Sequence, residues 1–145
     1  MYKHLLIATD GSDLSQKAVD QAFSLAKTLG AKVTVLTVTE PWASVAYGEM
    51  AYGFPIEEYE KNAATNASAI LAAAAELAKK AGVACECVHV KDKYPADGIV
   101  ETAVDRDCDL IVMASHGRRG LSRLMLGSQA NNVVTHSTIP VLICR

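Results

Sequence analysis

The sequence predicts one α/β domain, a parallel sheet of five strands with helices on both faces. Two observations carry this. Five short apolar runs, rich in β-branched residues, alternate along the chain with segments of helical periodicity. Several of the runs are apolar at consecutive positions, as strands buried on both faces are. Parallel neighbours need connections of a dozen or more residues, which the helical segments supply. No linker or composition shift divides the 145 residues, so the domain is expected to span 1–145.

The first strand is "HLLIAT" (4–9), followed by "DGSD" and a helix from near Ser12 that carries Ala18, Ala22, Leu25 and Leu29 to a stop at Gly30. The second strand is "KVTVLTV" (32–38). After it comes the connection "EPWASVAYGEMAYGFPIEE", long for a compact domain and studded with Trp42, Tyr47, Tyr52 and Phe54. It reads either as a lid or contact surface or as an aromatic plug packed on its own domain. Tyr59, Ala63, Ala67, Ile70, Ala74, Leu77 and Ala81 then recur at spacings of three and four, predicting a helix over 57–81 that ends at Gly82. "CECVHV" (85–90) is the third strand, and Pro95 opens a short helix to about Arg106. "DLIVMA" (109–114) is the fourth strand, Gly127 and Ser128 open the last helix, ending near His136, and "PVLIC" (140–144) is the fifth strand.

Composition narrows the function. A formal net charge of −2 gives no global pull towards nucleic acid or anionic membrane. No apolar run approaches the roughly 18 residues of a membrane span, and the four-residue run in "MYKHLLIATDG" is too short for a secretory leader, so a cytoplasmic location is expected. Cys85, Cys87, Cys108 and Cys144 have neither zinc spacing nor a CxxC pair, so all four are expected to be buried or half-buried thiols, with no metal role. Cys85 and Cys87 share one face of their strand and are poorly placed to bridge each other.

In an open parallel sheet, ligands sit outside the carboxyl ends of the strands. Asp10 follows the first strand and residues 114–120 follow the fourth; if those strands are neighbours, the two loops flank one crevice. Gly117, Gly120 and Gly127 let backbone N–H groups approach an anion, and the helix at Gly127 and Ser128 adds its unpaired amides and dipole. This outlines a phosphate site, with Asp10 placed to accept hydrogen bonds from a ribose. Arg118, Arg119 and Arg123 would neutralise phosphates or form a solvated basic loop, His116 reads as a loop-orienting residue, and Ser128 as a phosphate ligand, a helix cap or both. "LGSQ" lacks the Walker A lysine, and no GxGxxG follows a strand. "ATDGSD" lacks the SGGxDS of adenylating enzymes, and the acidic cluster of a receiver domain is missing.

"ASHGRRGLSRLMLGS" resembles the segment Gly, two residues, Gly, nine residues, Gly and Ser or Thr of ATP-binding universal stress proteins, with Ala114 where the first glycine belongs. "LLIATDGSDLSQKAVDQA", "YPADGIVETA", "DLIVMASHGRRG" and "IPVLIC" extend the resemblance over nearly the whole chain. It implies a Rossmann-like sheet of order 3-2-1-4-5 and a bound ATP, with or without Mg2+. Adenine maps to Ala8, Thr9, Asp10 and Val38, with Met113 packing nearby. Ribose maps to Asp10 and Ala114, and the phosphates to Gly117, Gly127, Ser128 and the Gln129 amide. The resemblance also implies a homodimer through residues 140–145. Efficient phosphoryl transfer wants a lysine, a metal-holding carboxylate and a base, so no catalytic or metal-binding residue is assigned; at most slow ATP hydrolysis or autophosphorylation is expected. The reading is a stress-response or regulatory protein with nucleotide-dependent contacts to an unidentified protein partner, no nucleic acid and no membrane insertion. The alternative is a nucleotide-free dimeric interaction protein of the same fold.

Overall fold

A computed structural model describes residues 1–46, 55–117 and 125–145. Tyr47, Tyr52 and Phe54 of the long connection, and Arg118, Arg119, Gly120 and Arg123 of the glycine-rich one, lie outside the described residues. The elements are β1 (His4–Ala8), α1 (Asp13–Leu29), β2 (Lys32–Thr39), α2 (Trp42–Val45), α3 (Ile56–Ala81), β3 (Cys85–Lys91), α4 (Pro95–Asp105), β4 (Leu110–Ala114), α5 (Ser128–His136) and β5 (Val141–Cys144). Boundaries fall within a residue or two of those expected; α2, a single turn at Trp42, was read as loop.

The strands form one parallel sheet of order β3-β2-β1-β4-β5. Central β1 is buried throughout, because consecutive side chains enter different cores. Leu5 and Ile7 pack under α1 and α3 with Val19, Phe23 and Ala74, whereas Leu6 and Ala8 pack under α4 and α5 with Ile99, Ala103 and Val133. Among the described residues no helix is long and apolar enough to cross a membrane.

Local chemistry sets the helix ends. Ser12 caps α1, its hydroxyl accepting from Ser15 N–H at 3.3 Å. Gly11 turns the chain at φ 78°, a conformation that penalises any residue with a Cβ. α3 ends on Gly82 at φ 71°, with the Gly82 N–H returned to the last turn.

The cysteine expectation needs one correction. Cys108 and Cys144 are buried and Cys85 is half-buried, but Cys87 is exposed, since β3 lies at the sheet edge and α3 covers it incompletely. Burial, with the neighbouring Cys87 sulfur, pushes the Cys85 thiol up to about 12. Burial likewise pushes Cys108 up to about 11, so both are protonated and unreactive near neutral pH.

His4, at the foot of β1, shares a 2.8 Å hydrogen bond between its Nε2 and Thr34 Oγ1. Burial, then the Lys32 charge, lower its pKa below the ordinary 6.5, outweighing the Arg106 carbonyl and the Asp109 and Glu86 carboxylates. His89 is lowered in the same way, by burial and Lys91. With folded-state values depressed, the unfolded chain takes up protons first as pH falls. The stability contribution is therefore present in full above about pH 6.5 and is lost as pH drops from there through the folded-state values. Urea denaturation is expected to give a lower unfolding free energy at about pH 5.5 than at about pH 7.5. His4→Gln, which keeps a partner for Thr34, should flatten that dependence; an unchanged slope would rule His4 out as a source.

Candidate functional site

Because β1 and β4 are neighbours, the turn after β1 and the loop after β4 meet at the carboxyl end of the sheet. In the first, Asp10 Oδ1 accepts the Ser12 N–H at 2.9 Å in an Asx turn. Thr9 Oγ1 accepts the Gly11 N–H at 3.2 Å and lies 3.0 Å from Ser15 Oγ, fixing the rest of the turn. The other Asp10 oxygen lies beside Gly117, where a Cβ would come within 2.7 Å of it.

The start of α5 is held to the end of β4. Ser115 donates its N–H to Cys144 O and accepts the Gly127 N–H, both at 2.8 Å, while its hydroxyl lies 3.0 Å from His116 Nδ1. Gly127 is the N-cap in ordinary extended backbone, φ −61° and ψ 158°, so conformation does not require glycine there. Crowding does: a Cβ would lie 2.9 Å from Ser115 O and 3.3 Å from His116 Cα. Ser128 is thus the first helical residue and not the cap. The Gly127 carbonyl accepts from Asn131, and the amides of Ser128, Gln129 and Ala130, which have no acceptor within the helix, begin α5 at the positive end of its dipole. Gln129 Oε1 accepts the Ala96 N–H at 3.2 Å, joining the starts of α5 and α4.

The end of β2 supplies the third side. Thr9 N–H donates to Leu36 O at 3.0 Å and Val33 N–H to Ala84 O at 2.8 Å, so even-numbered β2 residues turn their peptide groups towards β1 and odd-numbered ones towards β3. β1 stops pairing where Ala8 meets Leu36. Val38, two residues further, therefore directs its N–H and C=O past the end of β1. Gly98 lets α4 lie against it, since a Cβ there would be 3.0 Å from a Val38 methyl.

These elements enclose a cavity of about 670 Å³. Its wall includes every residue expected from the sequence: Ala8, Thr9, Asp10, Val38, Met113, Ala114, Gly117, Gly127, Ser128 and Gln129. Ala114 also belongs to the core under α1, so its extra methyl is taken up in packing. The sequence reading missed the wall formed by α3, Tyr59, Asn62, Ala63, Asn66, Ala67 and Ile70, together with Glu40 at the end of β2. The periodic residues of α3 were legible, but as a core stripe. Of α3 only Ala67, Ala74 and Ala78 are buried, and the part from Tyr59 to Ile70 borders the cavity. Among the described residues no three potential ligands cluster as a metal site.

The universal stress protein family model matches residues 1–145. The universal stress protein YxiE of Bacillus subtilis is 35% identical over 152 residues, all of each chain being covered. The solved structure of hypothetical protein MJ0577 is similar with a TM-score of 0.86 at 26% identity, covering 99% of this chain and 96% of that one. A universal stress protein crystallised in complex with cAMP is similar with a TM-score of 0.72 at 31% identity, covering 99% and 97%.

Gly127→Ala is expected to lower the unfolding free energy by about 1–3 kcal/mol, since its Cβ meets backbone that is already bonded. A loss below ~0.5 kcal/mol in urea titration would show that the β4 loop yields more readily than this contact implies.

Proposed function

This chain belongs to the universal stress protein family, and we propose that it binds an adenine nucleotide, ATP, in the crevice beyond β1 and responds by changing its contacts with a protein partner. The observation that carries the reading is the convergence on one cavity of Asp10, the amide-rich start of α5 and the turned-out peptide group of Val38. The cAMP complex of a relative 31% identical supports an adenine nucleotide as the ligand class. At about 670 Å³ the cavity falls in the usual range of small-molecule sites, about 300–1,000 Å³.

The three polar groups suit different parts of the proposed ligand. Gly117 and the amides of Ser128 and Gln129 take the phosphates, where the helix dipole favours negative charge. Asp10, between the two ends, accepts from the ribose hydroxyls. Val38 offers one donor and one acceptor to the base edge, with Ala8 and Met113 as apolar floor. Any Mg2+ would be held mainly by phosphate oxygens and water, with the Asp10 carboxylate lying against Gly117. The role drawn from this chemistry is binding and signalling, with no phosphoryl-transfer step assigned.

Ligand at ten times its dissociation constant should add about 1.4 kcal/mol, raising the melting temperature by a few degrees. Millimolar ATP giving no shift would favour a nucleotide-free interaction protein. Gly117→Ala should reduce ATP affinity by about tenfold with little change in stability, because the new methyl group displaces the tip of Asp10 and no backbone. Unaltered affinity would place the ribose elsewhere.

We also propose a homodimer through residues 140–145. β5 is an edge strand with Leu142 41% exposed and Val141 and Ile143 half-buried, an apolar edge that pairing with a second copy would cover. Replacing Leu142 and Ile143 with lysine should give monomers by sedimentation at micromolar concentration; a monomeric parent, or a dimer indifferent to the change, defeats the assignment.

A further inference from the structure

Asn62 and Asn66 lie one turn apart on α3, both exposed and both on the cavity wall. Packing does not account for them. The buried residues of α3 are Ala67, Ala74 and Ala78, and in a stretch otherwise rich in alanine an asparagine lowers helix propensity. This part of the helix is held in place nonetheless, because Tyr59 donates its hydroxyl proton to Glu40 O at 2.7 Å and ties the helix to the end of β2. With Ala63 and Ile70 they form a continuous stripe facing the crevice.

The position of the stripe sets what it meets. α3 packs on β2 and β3, whereas the amides that suit phosphate begin α5, on the far side of Asp10. A ligand with its anionic end at α5 and its middle at Asp10 brings its other end against α3, opposite the Val38 peptide group. Building on the nucleotide reading above, we propose that Asn62 and Asn66 read the base. Each carboxamide offers two N–H donors and a C=O acceptor, so the pair can bond a base edge that presents both kinds of group. Glu40, on the same side of the cavity, brings a carboxylate that only accepts when ionised. This favours a base with an exocyclic amino group, such as adenine, over one with a carbonyl oxygen there, which would face acceptor against acceptor. A wall built to bond an amino group discriminates by the polar groups left unpaired when the wrong base enters.

The test is calorimetric titration of the full chain with ATP, ITP and tripolyphosphate. ITP exchanges the amino group for a carbonyl, and tripolyphosphate carries the anionic end alone. The parent should prefer ATP to ITP by about tenfold or more. The double variant Asn62→Ala, Asn66→Ala, whose new residues are better helix formers, should retain its circular dichroism, lose much of its ATP preference while keeping the share that Val38 and Glu40 supply, and bind tripolyphosphate as the parent does. The two single variants should each lose part of the preference. An undiminished ATP preference in the double variant overturns the base-reading role and leaves the nucleotide reading standing. An equal loss for tripolyphosphate overturns it as well, since the stripe would then act on the whole crevice. A parent that binds none of the three overturns the nucleotide reading and this proposal with it.

Discussion

The crevice depends on unequal strand lengths at the centre of the sheet. β1 ends at Ala8, paired with Leu36, while β2 runs on to Thr39 beside β3. A parallel strand that loses its neighbour keeps its alternation of peptide directions, so Val38 turns a donor and an acceptor towards the gap that β1 has left. The chain leaving β1 must then clear the opening within a few residues. It does so through Gly11 at φ 78° and the Asx turn of Asp10, which delivers a carboxylate to the middle of the gap.

The opposite rim is built by close packing. The Gly127 N–H bonds to Ser115 O, and the absence of a side chain at Gly127 lets the first turn of α5 rest on the backbone of Ser115 and His116. That contact orients the helix so that its opening amides border the cavity. The Gln129 side chain then satisfies the Ala96 amide at the start of α4, so two helix N-termini are fixed relative to each other. A site whose polar groups are backbone amides needs this kind of scaffold, because a backbone amide can be aimed only by placing the whole element that carries it.

α3 closes the third side with a different division of labour along its length. Its C-terminal half buries Ala74 and Ala78 on the sheet in the shared core, while its N-terminal half carries Tyr59, Asn62 and Asn66 past the sheet to the crevice. One helix thus belongs both to the core and to the site, joined rigidly by its own backbone hydrogen bonds, and the Tyr59 bond to Glu40 fixes the projecting part.

The family resemblance implied the candidate set from Ala8 to Gln129, all of which lines one cavity, whereas the sequence by itself determined the strands, the helices and the glycine at the end of α3. Those features are local: apolar period, cap chemistry and glycine placement act within a few residues of where they are written. Tertiary structure alone decided the rest. Ala63, Ala67 and Ile70 have the same spacing whether they face a sheet or a cavity, and only the end of the sheet beneath α3 separates the two. The packing need for a glycine at 127 shows only once Ser115 O is seen 2.9 Å from where a Cβ would stand. Gln129 acquires its role for its side chain from Ala96, 33 residues away. Cys87 is exposed because of which strand ended at the edge. In each case the deciding neighbour is distant in sequence, and packing, not period, brings it within reach.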